Sequence, residues 1–179
     1  MNSRRFSLKP FPSAGLLPHL KITGNIGRHS KTLTISYALL GHLTEVLIPA
    51  LADMPGRKDS LWEETCFEFF LGVNNSDQYW EFNLSPAGHW NVYRFKSYRQ
   101  GMQEEQAFTS FPFSVQNQLS ALRISLKIDL DKIISTNQTL KIAIGAVTKP
   151  VNGTITYWAL SHPGPQPDFH REESFILEL

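Results

Sequence analysis

Thr32-Leu33-Thr34-Ile35-Ser36-Tyr37-Ala38-Leu39 alternates small or polar residues with large apolar ones, which places Leu33, Ile35, Tyr37 and Leu39 on one face of an extended strand. Working outward, the same period of two recurs near 4–9, 21–26, 44–48, 65–71, 79–85, 90–98, 119–128, 140–147, 155–160 and 174–179. Clusters of Gly, Pro, Asn and Asp separate these segments, as turns between strands require. Many short strands predict an all-β fold, an antiparallel β-sandwich of immunoglobulin-like or jelly-roll-like form, with at most one or two short helical turns. The helical signal is Asp129-Leu-Asp-Lys-Ile-Ile, where Asp129 can cap a turn that ends at Ser135-Thr136-Asn137. The polar run 99–110 reads as a surface loop, because the strands on either side of it would each lack a partner sheet. No repeat or low-complexity segment interrupts a single domain spanning 1–179.

The chain has 179 residues, enough to bury roughly 70% of its unfolded surface in one domain. Its formal net charge is +1 and only 18% of its residues are charged, which argues against counterion-driven binding to nucleic acid. No apolar run approaches the length needed to cross a bilayer, and Arg4-Arg5 leads into Pro10 and Pro12 instead of an apolar leader core. One cysteine, Cys66, can close no intramolecular disulfide, so a reduced, cytoplasmic location without membrane contact is expected.

Aromatic rings are the conspicuous chemical resource. Trp62, Trp80, Trp90 and Trp158 lie in or beside strands together with Tyr79, Tyr93, Tyr98 and Tyr157. Burial is the usual fate of such rings, but flat rings also stack on the apolar faces of sugars. Trp62 and Trp158 stand apart because each sits at a strand end, Trp62 after the loop Met54–Ser60 and Trp158 before His162-Pro-Gly-Pro-Gln-Pro. Among polar residues, Cys66 and Glu68 share one face of their strand, and Glu81, Asn83 and Ser85 one face of the next. A symmetric hairpin pairing Leu71 with Tyr79 sets Glu68 opposite Phe82 and points the two carboxyls to opposite faces; a one-residue bulge reverses this. If they converge, they suit hydroxyl recognition or acid–base work on a glycoside; otherwise each pairs with an Arg or Lys such as Arg94, Arg99 or Lys149.

His162 and His170 match no compact zinc spacing, and Cys66 lies mid-strand without a neighbouring base, as a buried structural thiol does. No metal and no cofactor is expected. Asp168 and His170 are expected to anchor the segment after Pro163, Pro165 and Pro167, with Asp168 accepting the backbone N–H groups that follow it and His170 donating to a neighbouring loop.

Two blocks carry a resemblance. Leu61-Trp62-Glu-Glu-Thr65-Cys66-Phe67-Glu68-Phe69-Phe70, continued by Tyr79-Trp80-Glu81-Phe82-Asn83-Leu84-Ser85-Pro86, Gly88, Trp90, Tyr93-Arg94-Phe95 and Tyr98-Arg99, resembles the DOMON-like family. Tyr157-Trp158-Ala159-Leu160-Ser161-His162-Pro163, with Pro167-Asp168-Phe169-His170 and Phe175, is similar to that family's closing signature and to the end of family nine carbohydrate-binding modules. The resemblance implies an antiparallel sandwich whose relatives bind sugars or haem. It implies a noncatalytic carbohydrate- or glycoconjugate-binding domain, with Trp62 and Trp158 clamping a sugar and Glu68, Asn83 and Glu81 as polar contacts. Two alternatives stay open. One is a sugar-active hydrolase or isomerase using Glu68 and Glu81; the other is a b-type haem domain drawing on Met54 or Met102 with His162 or His170.

Overall fold

The computed structural model describes residues 2–12 and 19–179. Twelve strands occupy the described residues, and their only helical segments are four 3-10 turns of three residues each. One antiparallel sheet runs in the order β8 (Phe113–Gln118), β9 (Ala121–Asp129), β3 (Thr32–Gly41), β2 (Leu20–His29), β1 (Asn2–Pro10). The second runs β7 (Gln103–Glu104), β6 (Trp90–Phe95), β5 (Tyr79–Leu84), β4 (Cys66–Val73), β10 (Leu140–Thr148), β11 (Thr156–Ala159). The end of β1 joins the two through Lys9 and Pro10, which pair with Ala159 and Trp158. The short β12 (Leu177–Glu178) lies beside β10.

The sheets stack face to face, as an antiparallel sandwich requires. Leu33, Ile35, Tyr37 and Leu39 of β3 point inward, as their alternation predicts, and meet Phe67, Phe69, Leu71, Phe82, Ile144 and Trp158 from the second sheet. The Tyr37 and Phe67 rings approach to 5.2 Å and Phe69 stacks on Phe82 at 4.4 Å. Tyr37 also donates its hydroxyl to the Glu68 carbonyl at 2.8 Å, so even the polar atom of this core ring is satisfied. At the other end of β9, Asp129 accepts the Asp131 N–H at 3.0 Å and caps the 3-10 turn Leu130–Lys132, which is the expected helical signal at its minimum length.

Several expected strands change. Residues 44–48 form no strand: Leu43–Glu45 is a 3-10 turn, and Val46 makes one isolated bridge to Pro150. The expected 174–179 strand shrinks to β12. The expected loop 99–110 contains the two-residue β7, and β8 is a strand not anticipated from the sequence.

The candidate functional site

The site is built on the outer face of the second sheet, the face turned away from the other sheet. Its floor follows from cross-strand register. Leu71 pairs with Trp80 and Gly72 with Tyr79, so Glu68 lies directly opposite Asn83 and Phe70 opposite Glu81. This is a slip of one residue from the symmetric hairpin that pairs Leu71 with Tyr79. A slip of one carries a strand's side chains to the other face, so Glu68, Glu81 and Asn83 share a face instead of diverging. The tighter connection between β4 and β5 has Asn75 in the left-handed region at φ 61°, a conformation asparagine tolerates. Diagonal neighbours in an antiparallel pair stand roughly 7–8 Å apart, which is the spacing of Glu68 and Glu81 along the ladder.

Small residues beside this floor make space above it. Glu68 pairs across with Gly145 of β10, which pairs in turn with Ala159 of β11, and Phe70 pairs with Ala143. A Cβ on Gly145 would come within 2.8 Å of the Phe169 ring, so the missing side chain lets the 162–175 segment settle against the sheet. Trp62 closes the facing side from the 3-10 turn Leu61–Glu63, its ring edge-on to Tyr93 at 5.8 Å. Leu61 is buried beside it, and the turn is entered through Ser60 in the left-handed region. Asp59 anchors the approach by accepting the Tyr93 hydroxyl at 2.5 Å and the Ser60 N–H at 2.8 Å.

The result is a cleft of about 320 Å³ whose walls include Trp62, Tyr157 and Phe169 and whose polar lining is Glu68, Glu81, Arg99 and His170. Both carboxyl residues are nearly buried, Glu68 at 3% and Glu81 at 4% exposure. Glu81 Oε1 accepts the Asn83 amide at 2.8 Å. Glu68 Oε1 has no hydrogen-bond partner among the described residues. Burial, and secondarily the neighbouring Glu81, push the Glu68 carboxyl well above its ordinary range. Burial also raises Glu81 to about 7, against the opposing pull of the Asn83 amide and the Arg99 charge.

A polar chain closes one end. The Arg99 N–H donates to the Tyr79 hydroxyl at 3.1 Å, and that hydroxyl lies 2.8 Å from His170 Nδ1. A hydroxyl that accepts from Arg99 keeps a second lone pair and its own proton, so it can pair with either tautomer of His170, whose other ring nitrogen, Nε2, lies 3.7 Å from Glu81 Oε2. Burial, followed by the Arg99 charge, lowers His170 to about 4. The approach of His170 to Glu81 is therefore a contact of a neutral imidazole with a carboxyl near its midpoint at neutral pH, and not an ion pair. Asp168 fastens the segment: it accepts the His170 N–H at 3.1 Å, the Tyr98 hydroxyl at 2.5 Å and the Arg99 guanidinium at 2.9 Å. Burial alone would raise its pKa, but these three donors hold it below the ordinary carboxylate value.

Of the five expected site residues, Trp62, Glu68 and Glu81 come together in the cleft. Asn83 is fully buried beneath it, its amide spent on Glu81 and its carbonyl oxygen 3.8 Å from the Cys66 thiol, so it positions a carboxyl and does not line the cleft. Trp158 faces the opposite way. It pairs with Ala146, is 3% exposed in the core between the sheets, and donates its indole N–H to Thr148 at 2.9 Å. Its neighbour Tyr157 takes the cleft position, because adjacent strand residues point to opposite faces. Asp168 anchors its segment as expected, accepting the His170 N–H, but the His170 ring meets the Tyr79 hydroxyl of β5 instead of a neighbouring loop and lines the cleft. Arg99, Tyr157 and Phe169 also line it unanticipated; Gly145, a glycine inside an apolar strand, was the available signal of close approach there. Met102 lies on the cleft margin, Met54 is 86% exposed, and His162 Nε2 is 2.8 Å from the Lys9 carbonyl. Among the described residues no three metal-ligating side chains gather.

No protein-family model matches the chain, and no curated protein matches it. Among solved structures, that of a candidate carbohydrate-binding protein from Bacteroides uniformis ATCC 8492 is similar with a TM-score of 0.66 at 15% identity, covering 94% of this chain and 83% of that one. The likeness is one of fold. A family nine carbohydrate-binding module from Caldicellulosiruptor kristjanssonii, solved with glucose, has a TM-score of 0.47 at 12% identity over 82% of this chain and 69% of that one. Its complex with cellotriose has a TM-score of 0.46 at 10% identity, covering 84% and 71%.

Proposed function

We propose that the cleft binds a carbohydrate or glycoconjugate without transforming it, with a sugar ring stacked against Trp62, Tyr157 and Phe169 and its hydroxyls read by Glu68, Glu81 and His170. The observation that carries this reading is a set of aromatic walls over buried polar groups, one of which, Glu68 Oε1, lacks a partner within the described protein. A sugar offers the complement: apolar ring faces to stack and a rim of hydroxyls to hydrogen-bond. The cleft volume lies at the lower end of the range for small-molecule sites, which suits one or two rings. The description of the Bacteroides protein as a candidate carbohydrate binder, and the resemblance of the closing sequence block to family nine carbohydrate-binding modules, are in keeping with it.

The test is calorimetric titration of mono- and oligosaccharides into the protein and into Trp62→Ala. Loss of a stacked ring lowers affinity by on the order of 1 kcal/mol or more while the melting temperature stays close to that of the unaltered protein. Absence of binding by every sugar contradicts the reading.

The shared face of Glu68 and Glu81 favours a second reading, a glycoside-active enzyme, because a carboxyl held protonated by burial is what a general acid needs. Turnover of aryl glycosides that vanishes in Glu68→Gln supports it. A panel of glycosides that binds and is never cleaved removes it.

A further inference from the structure

Charge is unbalanced in this cleft. Two carboxyls face it from β4 and β5, while the guanidinium in its lining, that of Arg99, is already held by Asp168 at 2.9 Å. His170 is a neutral imidazole 3.7 Å from Glu81 Oε2, and the amide of Asn83 meets one oxygen of one carboxyl. Glu68 Oε1 is left buried and unpartnered. A buried carboxyl without a hydrogen-bond partner is destabilising, and two such groups side by side hinder each other's ionisation. A group from outside the chain that brings both donors and positive charge relieves both penalties at once.

The walls narrow what that group is. Faces of Trp and Tyr attract cations through the ring quadrupole, most strongly where water is excluded. An anionic sugar, such as a uronate or a sugar phosphate, opposes the ionisation of either carboxyl. A hydroxyl donates to one lone pair without supplying the positive charge that lets both carboxyls ionise. An ammonium group supplies three donors and a full positive charge.

We infer that the ring taken up by this cleft carries an ammonium group, an amino sugar with a free amine being the class that fits, with the nitrogen held by Glu68 and Glu81 between the rings of Trp62, Tyr157 and Phe169. The inference rests on the carbohydrate reading above and narrows its ligand. It also entails proton release. Both carboxyls stand above the ordinary range, so an arriving cation drives off protons they retain near neutrality, and its affinity rises with pH. The groups around them are the Cys66 thiol and Tyr37 near Glu68, and Arg99, Tyr79, Tyr93 and His170 near Glu81. Cys66, Tyr37, Tyr79 and Tyr93 are all shifted upward and stay neutral over this range, and Arg99 stays charged.

The experiment is calorimetry on the whole chain with glucosamine, N-acetylglucosamine, glucose, cyclohexylammonium and cyclohexanol, each at about pH 6.5 and about pH 7.5 in two buffers of different ionisation enthalpy. Glucosamine is expected to bind at least about tenfold more tightly than glucose or N-acetylglucosamine, and cyclohexylammonium more tightly than cyclohexanol, with proton release on binding. Glu68→Gln and Glu81→Gln are each expected to remove most of the glucosamine preference. The comparison of ammonium with hydroxyl ligands on the unaltered protein needs neither variant to fold. Glucose binding as tightly as glucosamine overturns the amine assignment and leaves the carbohydrate reading standing. Cyclohexylammonium binding while no sugar binds overturns the carbohydrate reading and, with it, the amino-sugar assignment. No binding by any of the five overturns both.

Discussion

On β9 every second residue from Arg123 to Asp129 reaches solvent, whereas β4 and β5 have no exposed residue at all. All three strands sit in antiparallel sheets of one sandwich, and each turns one face to the same core. The difference lies on the outer face. That of the first sheet meets water along β9, and its sequence alternates accordingly. That of the second is covered by residues 59–63 and 167–175, which carry Trp62, Phe169 and His170. Loops cover a sheet less completely than another sheet does, because their turns and prolines do not follow the pleat. The gap they leave over Glu68 and Glu81 is the cleft.

The sharpest way to separate the two faces of the second sheet is to cut into each. Phe82→Ala removes a fully buried ring that stacks on Phe69, and is expected to destabilise by about 3 to 5 kcal/mol in chemical denaturation. Trp62→Ala, on the other face, should change stability far less. Equal losses from both would mean that the outer cluster is simply a second core.

Stability as a function of pH probes the buried carboxyls. Glu81 is raised from 4.5 to about 7, so the folded state holds more protons than the unfolded one in that window and stability falls as pH rises through it. His170, lowered from 6.5 to about 4, acts in the opposite sense, its contribution being lost as pH falls through that window. The two oppose each other up to pH 6.5, and the carboxyls act alone above it. A decline on the order of 1 to 3 kcal/mol between about pH 6.5 and 8 is expected, reduced in Glu81→Gln and further in the double variant with Glu68→Gln. A flat profile in the unaltered protein contradicts the burial of charge described for this face.

Asp168→Ala leaves the His170 N–H, the Tyr98 hydroxyl and the Arg99 guanidinium without their shared acceptor. A loss of roughly 1 to 2 kcal/mol is expected, because Asp168 is only partly buried and water replaces some of these bonds. Its contribution is present above the ordinary aspartate pKa and lost as pH falls below it, since its folded value is depressed. Ligand affinity should fall as well, because Asp168 holds both Arg99 and His170 in place. On the first sheet, Lys127→Ala faces solvent and is expected to change stability by less than about 0.5 kcal/mol and affinity not at all.

What the sequence discloses follows the same division. Where one face meets water, as in β3 and β9, alternation marks the strand and names its core residues. β8 escapes notice because it is an edge strand whose only large apolar residues are Phe113 and Val115, both half-exposed. In β4 and β5 both faces are buried, so alternation no longer tells inner from outer. Their relative register depends on whether Gly72 and Val73 stay in the ladder, a matter of one residue that reverses where Glu68 points relative to Glu81. The same parity problem exchanges Tyr157 for Trp158. β11 is four residues long, and its inward side is set by pairing with Ala146 and Thr148, partners far away in the chain. Trp62, Glu68 and Glu81 were legible as chemistry. That His170, Arg99 and Phe169 join them was not, because a turn at Arg99 and a glycine at position 145 bring those side chains in.

The central claim is that ligand is taken up on the covered outer face of the second sheet. Backbone amide shifts of the isotope-labelled protein during titration with glucosamine, and in parallel with glucose, test it residue by residue. Saturable changes are expected to centre on Trp62, Glu68, Glu81, Tyr157, Phe169 and His170, with Arg123, Ser125 and Lys127 on the first sheet unmoved. Saturable changes along β9 and β3, with the cleft residues still, would contradict it.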